Sequence, residues 1–177
     1  MEGAEDQAHQ LSEETTQQVN EQFTEEEVLK LYQRFRSFDE SGDGRIGLEH
    51  VLKLEPALAE NPLMSRVLSV FDKDGDGKVS FVEFISGLAR VAHDESTKLR
   101  FLFDVYDLNK DGYVSNGDLF RVVKMMAGDN LSPVQLQQLV DRTIRDWDKD
   151  MDGKLNFEDF KAAMSHVSLR SQLELDL

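Results

Sequence analysis

The chain has 177 residues, 40% of them hydrophobic, no cysteine and a formal net charge of −15 at pH 7. That is enough apolar content for one or two small cores. The missing thiols exclude a disulfide framework and a cysteine nucleophile, and the acidity argues against nucleic acid as a partner. No apolar run is long enough to span a bilayer and none follows a basic start, so an intracellular, cytoplasmic protein without a membrane anchor is expected.

Residues 1–22 are rich in Glu and Gln and poor in apolar residues, and are read as a disordered acidic tail. The first helix signal follows: Thr24 and Glu27 stand at capping-box spacing, with Val28, Leu31, Tyr32, Phe35 and Phe38 on one helical face. From there one pattern recurs four times: an apolar helix, a loop rich in Asp and Gly, a second apolar helix. The loops begin at Asp39, Asp72, Asp107 and Asp148, a recurrence of roughly 33 to 41 residues that marks an internal repeat. Asn61-Pro62 and Ser132-Pro133 read as caps followed by proline at the first helical position. Gly128 is placed to stop a helix spanning 116–127. The expectation is an all-α chain of two lobes, residues 23–93 and 94–167, followed by a C-terminal tail, 168–177.

The loops have the chemistry of calcium sites. Calcium takes six to eight oxygens, and a twelve-residue EF-hand loop supplies them from positions 1, 3 and 5, the carbonyl of 7, often a water at 9, and a bidentate Glu at 12. Position 6 is glycine because the chain turns sharply there. The apolar residues at position 8, here Ile46, Val79, Val114 and Leu155, are expected to pair in short strands between the loops of each lobe. The second loop, DKDGDGKVSFVE, meets every requirement with Asp72, Asp74, Asp76, the Lys78 carbonyl, Ser80 and Glu83. The third offers Asp107, Asn109, Asp111, the Tyr113 carbonyl and Asp118; the fourth offers Asp148, Asp150, Asp152, the Lys154 carbonyl and Asp159. Both end in Asp, one methylene shorter than Glu. That favours one oxygen over two and a site that also admits magnesium alongside calcium. Glu158 is one residue out of register and projects elsewhere. The first loop has only Asp39, Ser41 and Asp43 as side-chain donors and ends in His50, a poor ligand for a hard cation. It is expected to serve chiefly as structural partner to the second.

Metal binding alone fits a buffer, a sensor or an enzyme. The four histidines, His9, His50, His93 and His166, form no nucleophile–base arrangement, so catalysis is not expected. A sensor presents an apolar groove to an amphipathic helix. Candidates are Leu119, Phe120, Val122, Val123, Met125 and Met126, with Leu136, Leu139 and Val140 on the facing helix; core packing is the competing role for each.

The stretch KLRFLFDVYDLNKDGYVSNGDLFRVVKMMAGDNLSPVQLQQLVDRTI, residues 98–144, resembles the regulatory B subunits of calcineurin, and the likeness extends through LEPALAENPLMSRVLSVFDKDGDGKVSFVEFISGLA, residues 54–89, into the fourth hand. SNGDLF, KMMAGDNL and QLQQLVD are more specific than the general loop pattern. The resemblance implies a non-catalytic subunit bound along an amphipathic helix of a catalytic A subunit, a metal-dependent serine/threonine phosphatase, which it makes calcium-dependent. It also implies that Met126, Ala127, Asn130 and Leu131 match the surface where immunophilin–drug complexes and docking peptides engage. His50, Asp118 and Asp159 depart from that family's glutamates. Glu2 stands where N-myristoylation needs glycine. The alternatives are a calcineurin-B-like regulator of a kinase or ion exchanger, and a free calcium or magnesium buffer.

Overall fold

The computed structural model describes residues 13–39, 41–54 and 61–175. Glu2 and most of the N-terminal tail therefore lie outside the described residues, as do the last two residues of the C-terminal tail. The regular elements of the described chain are helices and two short strand pairs. It divides into two compact units between Lys98 and Leu99.

In the first unit α1 (Glu13–Gln22) and α2 (Glu25–Phe38) lead to the first loop and β1 (Arg45–Ile46). α3 (Leu48–Leu54) and α4 (Met64–Phe71) follow, then the second loop with β2 (Val79–Ser80), and α5 (Phe81–His93). The expected capping box opens α2: the Glu27 N–H donates to Thr24 Oγ1, and the Thr24 N–H donates back to Glu27 Oε2 at 2.8 Å. Asn61 accepts a hydrogen bond from the Leu63 N–H at 3.0 Å, but residues 62–63 form a turn and α4 begins only at Met64. An aromatic cluster fills the interior. Phe81 meets Tyr32 and Phe35 edge-on at 4.9 and 5.4 Å, and Phe84 packs on both Phe35 and Phe71. Gly87 permits this packing, since a Cβ there would stand 2.2 Å from the Phe71 ring.

α1 departs from the disordered tail read over residues 1–22. Its ten residues offer one apolar anchor, Val19, which is 4% exposed, and the helix packs along α5. The anchor is supplied by tertiary contact that a polar composition does not announce.

The second unit contains most of α6 (Glu95–Tyr106), then the third loop with β3 (Val114–Ser115), α7 (Asn116–Ala127), α8 (Pro133–Trp147), the fourth loop with β4 (Lys154–Leu155), and α9 (Phe157–Leu175). Phe103, Val114, Leu119, Val140, Ile144, Leu155 and Phe160 form its core. α7 ends as expected, at Gly128 with φ +54°, and Ser132 caps α8 with Pro133 in its first turn. Residues 168–175, read as a separate tail, continue α9.

The strands pair as anticipated. β1 and β2 are antiparallel with Ile46 opposite Val79, and β3 and β4 set Val114 opposite Leu155. Each pair ties two loops back to back.

Candidate metal centres

All four loops use one internal scaffold. The first aspartate accepts backbone N–H groups from within the turn: Asp72 from Gly75 and Gly77 at 2.7 and 2.9 Å, Asp107 from Gly112 at 2.8 Å, Asp148 from Gly153 at 2.8 Å, and Asp39 from Gly42 and Gly44 at 2.8 Å. The glycine at position 6 has φ between +78° and +87° in every loop, the left-handed backbone that glycine adopts without strain.

In the second loop the arrangement is complete. One oxygen each from Asp72, Asp74 and Asp76 lies within 4.8 Å of the others. Asp74 Oδ1 and Asp76 Oδ1 accept the N–H groups of Asp76 and Lys78, and their Oδ2 atoms pair with Arg45 Nη1. Glu83 closes the loop from both sides. Its Oε2 accepts from the Ser80 N–H and hydroxyl at 2.8 Å, and its Oε1 reaches the N–H groups of Lys73 and Asp74 at 2.9 and 3.3 Å. Burial pushes the Glu83 carboxyl up, but the hydrogen bonds from Ser80, Lys73 and Asp74 outweigh it and hold the group below its ordinary range.

The third loop has the same donors with a shorter closure. Asp111 accepts from the Tyr113 N–H at 2.9 Å, and Asn109 Oδ1 from the Asp111 N–H at 3.2 Å. Asp118 is buried and bonds the Ser115 N–H at 3.1 Å together with the Ser115 hydroxyl. These bonds cap α7 from its own first turn.

In the fourth loop Asp148, Asp150 and Asp152 again bring one oxygen each within 4.8 Å. Burial raises the Asp148 carboxyl, but hydrogen bonds led by the Gly153 N–H pull it below the usual range. Here Asn156 caps α9, its Oδ1 accepting from the Glu158 and Asp159 N–H groups at 2.9 and 3.0 Å. Asp159 is thereby released from capping. It is 2% exposed, and its Oδ2 is buried without a hydrogen-bond partner. A buried carboxylate oxygen in this state demands a proton or a cation, so the residues fit a metal ion. Glu158 is exposed, out of register as the spacing required. Trp147 precedes the loop and packs against the core, 5.3 Å from the His166 ring.

The first loop is organised differently. The His50 imidazole accepts the Gly47 N–H at Nδ1, 3.1 Å away, taking the capping role that Glu83 has in the second loop. Lys78 donates to Asp43 Oδ2 at 2.6 Å, and with help from the Arg45 N–H it lowers the Asp43 carboxyl to about 2. A protein cation thus pairs with one of this loop's two carboxylate donors.

The apolar residues read as a partner surface separate into two groups. Leu119, Val122, Leu136 and Val140 are buried, and Val122 and Val140 are wholly inaccessible. Phe120, Val123, Met125, Ala127 and Leu131 are partly covered. Met126, at 53% exposed, Asn130 and Leu139 face solvent, and so does Val134, which the sequence pattern did not single out. Sequence reasoning also passed over the charges at position 7 of facing loops, Arg45 and Lys78. The signal available was their placement one residue before the paired apolar positions.

Among the described residues no helix is long and apolar enough to cross a membrane. The sequence matches the EF-hand domain pair family twice, over residues 28–89 and 96–165. It is 50% identical over 157 residues to the calcineurin B subunit of Naegleria gruberi, covering 88% of each chain. It is 49% identical over 155 residues to the human type 2 calcineurin B subunit, covering 86% of this chain and 91% of that one. With the calcineurin B subunit of Schizosaccharomyces pombe it shares 45% over 159 residues, 89% and 91% of the two chains.

Proposed function

Because the chain belongs to the calcineurin B family of EF-hand proteins, we propose that it is the calcium-binding, non-catalytic regulatory subunit of calcineurin, conferring calcium dependence on a catalytic A subunit. The observation that carries this reading is the second loop, where three aspartate oxygens converge within 4.8 Å and Glu83 closes the ring. The likeness to calcineurin B subunits runs through nearly the whole chain around it.

Asp72, Asp74, Asp76, the Lys78 carbonyl and Glu83 hold calcium in the second loop. Asp107, Asn109, Asp111, the Tyr113 carbonyl and Asp118 form the third site; Asp148, Asp150, Asp152, the Lys154 carbonyl and Asp159 form the fourth. These two end in aspartate, bind calcium more weakly and admit magnesium. The unpartnered Asp159 Oδ2 supports the fourth site directly. Asp39, Ser41 and Asp43 are left without metal because the loop offers only these three side-chain donors and closes on His50.

The partner is an amphipathic helix of the A subunit. Met125, Met126, Ala127, Asn130 and Leu131 supply the accessible part of the docking surface, and Leu119, Val122, Val123 and Leu136 lie beneath it. Immunophilin–drug complexes engage beside the same segment, and the protein works in the cytoplasm. Affinity capture in calcium tests the reading. Recovery of a phosphatase catalytic chain supports it; recovery of a kinase or a transporter, or of nothing, overturns it.

A further inference from the structure

Two of the three aspartates that converge in the second loop are engaged by a cation from the first. Arg45 is the seventh residue of the first loop and stands opposite Ser80 across the β1–β2 pair. Its Nη1 lies 3.6 Å from Asp74 Oδ2 and pairs with Asp76 Oδ2. The Oδ1 atoms of the same two aspartates accept backbone N–H groups, so Arg45 pairs with the oxygens that carry no backbone hydrogen bond. Lys78, the seventh residue of the second loop, reciprocates by pairing with Asp43 of the first at 2.6 Å. The other unit is wired differently: Lys154 Nζ lies 4.9 Å from the centroid of the Tyr113 ring, its counterpart at position 7 of the third loop.

We propose that Arg45 is a tethered competing cation that sets the calcium affinity of the second loop. In the metal-free chain its guanidinium neutralises Asp74 and Asp76. A calcium ion can claim those Oδ2 atoms only after Arg45 has swung away, so part of the binding free energy is spent on breaking the pair. The first loop, poor in donors itself, then acts as a regulator of its neighbour.

The inference rests on the second loop being a calcium site, and one titration separates the two claims. Calcium is titrated against a chromophoric chelator in the full chain, in the wild type and in the Glu83→Gln, Arg45→Gln and Lys73→Gln variants. Glu83→Gln identifies the binding step that belongs to the second loop. Arg45→Gln is expected to tighten that step about two- to fivefold, the range of a partly exposed ion pair. Lys73 is an exposed cation of the same loop, and its removal is expected to tighten the step distinctly less. An Arg45→Gln step that is unchanged or weaker, or one matched by Lys73→Gln, overturns the inference while leaving the site intact. The absence of any Glu83-dependent step in the wild type removes the site and the inference together.

Discussion

Glutamate and aspartate differ by one methylene, and three loops display what that difference does. Glu83 spans from the N-cap of its own helix to the N–H groups at the start of the loop. Asp118 bonds its own cap residue, Ser115, and Asp159, freed from capping by Asn156, leaves Oδ2 unpartnered in a buried position. Asp159→Ala is therefore expected to abolish or greatly reduce the calcium-dependent change in Trp147 fluorescence, and an unchanged response removes Asp159 from the ligand set. Asp159→Glu should strengthen calcium binding relative to magnesium, read by competition between the two ions. This much was legible in the sequence, because position 12 is fixed by spacing. What was not legible was the role of Asn156, which depends on which side chain reaches the helix start first. Gly77 tests the backbone at the same scale. It has φ +85° and nothing within 4 Å of where a Cβ would sit, so Gly77→Ala meets strain without a clash. It should cost about 1–2 kcal/mol in a denaturant titration of the metal-free protein.

Among the elements, helix ends were the most readable features, because caps are local chemistry. Thr24 and Ser132 exchange the expected hydrogen bonds with the residue three positions on; Ser80 and Ser115 do the same without having been read as caps, and Asn61-Pro62 leads into a turn, with α4 starting at Met64. α1 was not readable. Val19 is buried and the helix packs along α5, a contact between segments some seventy residues apart. The close approach of Phe71 to Gly87 was equally hidden, and Gly87→Ala should destabilise the chain by about 1–3 kcal/mol through overpacking. Outside the loops, α7 and α8 are joined on their exposed side by a polar trio. Asp141 accepts from Gln137 at 2.7 Å and from Asn116 at 2.8 Å, and these bonds hold its carboxyl below the ordinary value. A lowered folded-state pKa gives stability that is present above the unfolded value of about 3.8 and lost as pH falls through the folded one. Asp141→Ala should accordingly lower the melting temperature near neutral pH, and its deficit should shrink as pH drops below about 4. A deficit independent of pH would assign the effect to packing instead.

At the level of the whole molecule, two EF-hand pairs divide the chain, and the apolar surface of the second combines buried and accessible residues. The family resemblance groups Met126, Ala127, Asn130 and Leu131, and in the structure they follow one another around the end of α7 and the turn after it. Sequence periodicity alone did not separate Leu119, Val122 and Leu136, which are buried, from Met126, which is exposed. The same spacing serves a core and a docking face, and only the packing of α7 against α8 distinguishes them. At this scale calcium in the loops governs a phosphatase that the protein itself does not contain. The most direct measurement is phosphopeptide dephosphorylation by the calcineurin catalytic chain reconstituted with this protein, across a calcium series, using the wild type and Glu83→Gln. Activity is expected to depend on calcium with the wild type and to require distinctly more calcium with Glu83→Gln. Failure of the two chains to associate, or identical calcium curves for both proteins, would contradict this.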